Sequence, residues 1–134
     1  MKLISILGCG AIYVFAFLSN AQDNLSKSIA RGKELYKESC ITCHLANGEG
    51  IKDTFPPLAK ADFLLKYPEK SIHAIKFGMK GAIKVNNVAY NNAMPPSGFA
   101  DDEIADVMNY IRNSFGNKNP QLITEKMVAA VKEK

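Results

Sequence analysis

The feature that most constrains this chain is a five-residue motif, Cys40-Ile41-Thr42-Cys43-His44. Two thiols three positions apart lie one helical turn apart, on the same side of a helix. Each can add to one vinyl group on the same edge of a haem, and the adjacent imidazole then points at the iron. This C-x-x-C-H spacing is the attachment signature of a c-type haem. The motif therefore predicts one haem c, covalently bound at Cys40 and Cys43, with His44 as the proximal ligand of its iron.

The first 21 residues have the pattern of a cleaved secretory signal peptide. Lys2 gives a positive start, an apolar run extends from Leu3 to Leu18, and Ser19-Asn20-Ala21 is a small-x-small cleavage site. The apolar run is shorter than the ~20 residues that a membrane span requires, which argues against a retained anchor. We therefore predict a signal peptide at 1–21, one domain at 22–134, export to the periplasm, and no stable membrane anchor after cleavage.

Other kinds of cysteine site are less consistent with the surrounding sequence. Cleavage of the signal removes Cys9, so Cys40 and Cys43 are the two thiols that remain. In an oxidising compartment they could form one disulfide, but the adjacent His44 argues for haem. A thioredoxin-like pair needs a β-α-β context, whereas these flanks suggest a helix and a glycine-rich loop. A zinc site needs four ligands, and outside the motif only His73 is left.

Composition indicates a small globular domain. The chain has 134 residues, of which 47% are hydrophobic and 22% are charged, and its net charge is +4. These fractions are typical of globular proteins. Because the positive charge is not gathered into a basic block, we expect no nucleic-acid partner.

The hydrophobic pattern predicts an all-α fold with helices at both ends and long loops between them. Such loops are uncommon in a bare helical bundle, but they are expected where they wrap a cofactor. The predicted elements are a helix from Ser26 or Ser28 to about Glu38, a helical turn at 61–66, a helix at 68–77 stopped by Gly78, a hairpin across Asn86-Asn87, a helix at 101–115, and a partly helical C-terminal extension at 117–134.

The second axial position of the iron has several candidate ligands: Met79, Met94, Met108, Met127 and His73. Met108 lies on the apolar face of a predicted helix, which indicates a core residue. Met94 is followed by Pro95-Pro96, and consecutive prolines stiffen the backbone that would hold its thioether. We therefore predict Met94 as the distal ligand, with Met79 as the next candidate.

Several segments together resemble class I c-type cytochromes. In chain order they are Cys40-x-x-Cys43-His44, Gly48-x-Gly50, Phe55-Pro56-Pro57-Leu58, Tyr90-x-x-x-Met94-Pro95-Pro96, and the helical segment from Asp102 to Arg112. The resemblance covers residues 27–116. It implies the cytochrome c fold, in which the N- and C-terminal helices cross and the haem lies in a crevice between a histidine and a methionine.

The resemblance also implies roles for individual residues. Gly32 would lie at the helix crossing, and the carbonyl of Pro56 would accept the ring N–H of His44, a contact that orients a metal-bound imidazole. Leu58 would line the haem pocket. Three residues of the C-terminal helix would face the haem or the core: Ile104, Met108 and Ile111.

A histidine and methionine pair saturates the iron, so the expected function is one-electron transfer between redox protein donors and acceptors, and not catalysis. Alternatives are a five-coordinate haem sensor or peroxidase-like protein, and a dedicated cytochrome subunit of a larger oxidase or dehydrogenase complex. The lysines around the predicted haem edge either steer acidic partners or are ordinary solvated side chains: Lys52, Lys76, Lys80 and Lys84.

Overall fold

The computed structural model describes the backbone of residues 7–133 and the side chains of residues 22–133. The side chains of the predicted signal peptide, and the whole of its first six residues, lie outside this description. The helices are α1 (Leu7–Ser39), α2 (Ile41–His44), α3 (Asp62–Lys66), α4 (Pro68–Phe77), α5 (Asp101–Ile111) and α6 (Glu125–Ala130), and the strands are β1 (Ile83–Val85) and β2 (Val88–Tyr90). In the part of the chain so described, no helix is long and apolar enough to cross a membrane.

The helix α1 begins much earlier than the sequence predicted, at Leu7. The two serines proposed as its N-terminal caps lie well inside it. Ser26 Oγ donates to the carbonyl of Gln22 at 3.0 Å, and Ser28 Oγ donates to Asp106 Oδ1 at 2.6 Å. The predicted start was wrong because these hydroxyls make other hydrogen bonds, one of them to α5.

The helices α1 and α5 cross at Gly32, where the two backbones approach closely. A Cβ atom on Gly32 would overlap the carbonyl oxygen of Asp106 and would lie 2.9 Å from Tyr110 Cβ. Next to the crossing, the rings of Tyr36, Tyr110 and Phe115 pack with centroids 5.2 to 5.5 Å apart. The expected close helix contact at Gly32 is confirmed.

The segment from α4 to β2 follows the turn signals of the sequence. Pro68 opens α4, and Gly78, with φ 81°, follows its last residue. Asn86 and Asn87 both have positive φ, which a two-residue hairpin turn requires. The turn is held against α3 because Asn86 N donates to Asp62 Oδ1 at 2.7 Å and Asp62 N donates to Asn86 Oδ1 at 3.0 Å.

The helix α5 ends at Ile111, whereas the sequence pattern predicted that it would continue to Phe115. Its first turn is stabilised by the carboxylate of Glu103, which accepts from the backbone N–H of Ala100 at 2.9 Å. Phe115 adopts φ 59° and reaches the ring of Tyr36 from the turn beyond the helix. Phe115 thus makes the apolar contact that its helical spacing in the sequence predicted, although the residue itself is not helical.

The C-terminal segment, residues 117–133, packs against α5. Ile123 and Val128 are 2% and 0% exposed. The amide of buried Asn109 pairs with the backbone of Ile123: its Nδ2 donates to the carbonyl and its Oδ1 accepts from the N–H, both at 2.8 Å. Lys76 Nζ reaches the carbonyl of Val128 at 3.2 Å. The segment is therefore an integral part of the fold.

Candidate haem site

A cleft that is partly open to solvent lies beside the Cys40–His44 segment. Its walls come from the end of α1, α2, the loop at 56–58, α3, α4, β1 and α5. The residues lining it are almost entirely apolar, and among the described residues that line it none is charged: Tyr36, Cys40, His44, Pro56, Pro57, Leu58, Ala61, Phe63, Leu64, Ser71, Ala74, Ile75, Met79, Ile83, Val85, Met94, Val107 and Ile111.

The two cysteines are presented by a single helical turn. The amide of Cys40 donates to the carbonyl of Tyr36 at 2.9 Å, and the amide of Cys43 donates to the carbonyl of Cys40 at 3.2 Å. Both thiols are half-buried and are not joined in a disulfide. Burial, with a smaller effect of Cys43, raises the pKa of Cys40 to about 11. The Cys40 thiol is therefore protonated at neutral pH, as expected for a thiol at the wall of an apolar cleft.

The imidazole of His44 is buried and its ring is oriented by one hydrogen bond. Its Nδ1 lies 3.0 Å from the carbonyl oxygen of Pro56. Since a carbonyl can only accept, the ring proton is on Nδ1, and Nε2 carries the lone pair. Burial lowers the pKa of His44, while the hydrogen bond to Pro56 acts in the opposite direction. The neutral form, which binds metal ions, is therefore favoured.

The loop after the motif is folded so that Pro56 meets His44. Gly50 N donates to the carbonyl of His44 at 3.1 Å, and Leu58 N donates to the carbonyl of Gly48 at 2.7 Å. Both glycines have φ 66°. A Cβ on Gly50 would come within 2.7 Å of the Pro56 carbonyl. These glycines allow the close backbone approach that carries the Pro56 carbonyl to the ring of His44.

Met94 and Met79 both line the cleft. The two residues form an isolated antiparallel bridge, in which Met79 N donates to the Met94 carbonyl at 2.8 Å and Met94 N donates to the Met79 carbonyl at 2.9 Å. A Cβ on Gly78 would lie 2.8 Å from the Met94 carbonyl, so glycine permits this approach. Met94 is thus held by a backbone pairing that the sequence did not reveal, since its partner lies far along the chain.

Other predicted residues divide between the cleft and the core. Leu58 and Ile111 line the cleft, whereas Ile104 and Met108 are both 0% exposed in the hydrophobic core. Val107, which was not predicted as a site residue, also lines the cleft from α5.

Two residues outside the predicted set support the site. Tyr36 lines the cleft, and its hydroxyl donates to the carbonyl of Leu45, directly after His44, at 2.7 Å. Tyr36 could have been predicted from the sequence, because it lies four residues before Cys40 and therefore on the same face of the helix. Asn117 Nδ2 donates to the carbonyls of Leu58 and Ile111 at 2.7 and 2.8 Å, a tertiary contact that no local pattern indicates.

Of the four lysines proposed around the cleft, Lys76 is engaged within the fold. Its Nζ lies 2.7 Å from Asp101 Oδ1 and 3.2 Å from the Val128 carbonyl. Lys52, Lys80 and Lys84 have exposed side chains.

The residues of the cleft fit a c-type haem. The thiol-bearing Cys40 lies at its wall, and Cys43, which is not among the lining residues, follows one helical turn later. An oriented neutral imidazole presents a lone pair, and two methionines line the same cleft. The apolar lining matches the faces of a large macrocycle. This donor set combines imidazole and thioether, which suit iron, and it needs no further protein ligand.

Comparison with known proteins agrees with this geometry. Residues 29–115 match the family model described as Cytochrome c. The chain is 39% identical over 100 residues to cytochrome c-552 of Thermus thermophilus, which covers 69% of this chain and 66% of the relative. It is 29% identical over 116 residues to the cytochrome c subunit of a quinone alcohol dehydrogenase from Gluconacetobacter polyoxogenes, covering 76% of this chain and 22% of that subunit.

A third relative is the cytochrome c subunit of the cytochrome bc1 complex of Corynebacterium diphtheriae, 39% identical over 59 residues, with 41% of this chain and 21% of the relative covered. The chain thus spans about two thirds of the Thermus protein and about a fifth of each complex subunit. It belongs to the cytochrome c family, whose members hold a covalently bound haem c with its iron and are electron carriers and not enzymes, although some are subunits of dehydrogenases.

Proposed function

We propose that this protein is a one-electron carrier whose haem c is bound through Cys40 and Cys43, with the iron held between His44 and Met94. The observation that carries the proposal is that the oriented imidazole of His44 and the thioether of Met94 line one apolar cleft. The bound haem supplies a reversible one-electron change at its iron. The protein supplies orientation, exclusion of water and control of the reduction potential.

Each residue has a physical role in this proposal. His44 offers Nε2 because Pro56 fixes its proton on Nδ1, a contact that also strengthens the imidazole as a ligand. The thioether of Met94 favours the reduced iron and raises the potential, as does an apolar surrounding. If Met94 holds the iron together with His44, an exogenous ligand would have no free position; the five-coordinate sensor or peroxidase-like alternative would apply only if Met94 does not bind.

We place this carrier in the periplasm, exchanging electrons with redox proteins during brief encounters. The pattern of residues 1–21 supports export. The exposed side chains of Lys52, Lys80 and Lys84 would steer acidic partners towards the cleft. Dedicated service in a larger complex is a second candidate, favoured by the relatives named as subunits of alcohol dehydrogenase and of the bc1 complex.

Spectroscopy of the haem-loaded protein tests the ligation. We expect a low-spin spectrum in both oxidation states, a ferrous form that carbon monoxide does not rapidly alter, and a strongly upfield-shifted methionine methyl signal in the ferrous NMR spectrum. Sequential assignment should connect that methyl to Met94. A ferrous form that binds carbon monoxide at once would contradict the carrier and would support a five-coordinate function.

A native fractionation tests the cellular role. Haem-stained native gels of the periplasmic fraction should show the cytochrome near the mass of one chain. The chain has a mass of 14.7 kDa before the signal peptide is removed and the haem is added. Mass spectrometry should find Gln22 as the first residue. Haem stain that migrates only with a much larger assembly would favour a dedicated subunit, and a retained N-terminus would contradict signal cleavage.

A further inference from the structure

We infer that Met79 is a second, reserve thioether ligand, which takes the sixth iron position when the thioether of Met94 is absent. This inference rests on the proposed ligation by His44 and Met94. It assigns a metal-binding capacity to a residue that the proposed function uses only through its backbone.

The bridge between the two methionines aims both side chains at the same space. In an antiparallel pair that exchanges both N–H···O bonds, directly opposed residues lie ~5.5 Å apart at Cα and project from the same face. Met79 and Met94 exchange both bonds, at 2.8 and 2.9 Å. Both residues line the cleft that contains His44. The bridge therefore places the side chains of Met79 and Met94 next to each other on the wall of one cleft.

Methionine suits this role chemically and geometrically. Its thioether is a soft ligand, and its unbranched chain with three rotatable bonds adapts to irregular space. Among the described residues that line the cleft, the two with hydroxyl groups already use them in hydrogen bonds. Tyr36 donates to the Leu45 carbonyl at 2.7 Å, and Ser71 donates to the Tyr67 carbonyl at 3.1 Å. Of the described side chains lining the cleft, Met79 is thus the best placed to replace Met94.

The backbone around the bridge is firmly anchored, so exchange of one sulfur for the other needs side-chain rotation and little else. Ser97 N donates to the carbonyl of Ile75, near the end of α4, at 2.9 Å. Gly78 has φ 81°, and a Cβ atom on this residue would lie 3.1 Å from Pro96, so the two segments are in close contact. The segments that carry Met79 and Met94 are therefore tied to α4 whichever thioether is bound.

Three haem-loaded variants test the inference: Met94→Leu, Met79→Leu and the double variant. Leucine keeps the apolar volume and removes the sulfur. We expect Met94→Leu to remain low-spin and six-coordinate, to keep the ferric sulfur-to-iron charge-transfer band, and to show an upfield methyl signal assigned to Met79. Met79→Leu should keep the charge-transfer band and the upfield methyl signal of Met94. The double variant should lose the band and bind carbon monoxide at least tenfold faster than either single variant.

The outcomes separate this inference from the proposed ligation. A Met94→Leu protein that is high-spin, or that has water or an exposed lysine such as Lys80 as its ligand, overturns the reserve role and leaves the Met94 assignment intact. Loss of the band in Met79→Leu alone overturns the Met94 assignment. Should Met94→Leu not accumulate with haem, the same spectra of Met94→Ala decide, since its smaller side chain leaves Met79 more room.

Discussion

At the scale of single residues, Gly32 shows how one missing side chain defines the helix crossing. Alanine in place of a mid-helix glycine normally stabilises a protein by roughly 0.5–1 kcal/mol. Here the new Cβ would overlap the Asp106 carbonyl, and overpacking of this kind costs ~1–3 kcal/mol. We expect Gly32→Ala to lower the free energy of unfolding of the haem-loaded protein by about 1–2 kcal/mol, measured by guanidinium titration.

The neighbouring Lys33, whose side chain is exposed on the same helix, provides the matched control. Lys33→Ala should change the free energy of unfolding by less than about 0.5 kcal/mol, as is usual for surface positions. A Gly32→Ala protein as stable as the wild type would mean that α1 and α5 separate without cost, and the close crossing would then not be a source of stability.

At the scale of elements, one buried amide makes a large contribution to holding the C-terminal segment. Asn109 is 1% exposed and satisfies both backbone polar groups of Ile123. Its replacement by leucine leaves those groups unpaired, at ~1–3 kcal/mol for each buried group. We expect Asn109→Leu to destabilise the protein by at least about 2 kcal/mol and to accelerate tryptic cleavage at Lys126. The visible haem spectrum should not change, because Val107 and Ile111 line the cleft from another face of α5.

Asn92 supplies the control for this effect. Its exposed amide donates to the Thr54 carbonyl at 3.1 Å, so Asn92→Leu should cost little and should leave the rate of cleavage at Lys126 unchanged. Equal protease resistance of Asn109→Leu and the wild type would show that the Asn109 amide is not needed to hold the segment in place.

The same elements show which parts of the fold a sequence can predict. Local chemistry was sufficient for α4, which lies between Pro68 and Gly78, and for the hairpin turn at Asn86-Asn87. The haem motif was equally local, since one helical turn carries both thiols. Errors arose where a residue's partner is distant in sequence. Ser28 was predicted as a helix cap because its local sequence does not reveal its hydrogen bond to Asp106, which lies 78 positions away.

The candidate site followed the same rule. His44 and Met94 were predicted from their immediate neighbours, and the Pro56 contact from a family resemblance. The pairing of Met79 with Met94 was not, because no local pattern specifies which backbone segment an isolated bridge selects. Asn109 and Asn117 were missed for a related reason, as buried amides that bind distant backbone groups have no periodicity in sequence.

At the scale of the whole molecule, the haem cleft is an apolar gap between the elements that form the core. Its lining is almost entirely apolar, and none of the described residues in it is charged. Without the cofactor, the apolar walls of α3, α4 and α5 would lose the atoms they pack against and would be exposed to water. The total stability of a typical domain is only ~5–15 kcal/mol, so the fold is sensitive to the loss of these contacts. Haem binding is therefore expected to be coupled to folding.

This coupling predicts the behaviour of a chain that cannot retain haem. We expect the Cys40→Ala/Cys43→Ala variant to lose much of its helical circular dichroism and to show no cooperative thermal transition. The single variant Cys40→Ala keeps one thioether link and His44, so it should retain haem and melt cooperatively at a lower temperature than the wild type. A cooperative transition of the double variant within a few degrees of the wild type would show that α1 and α5, with the C-terminal segment packed on them, form a sufficient core. The haem would then occupy a preformed cleft and contribute to electron transfer alone.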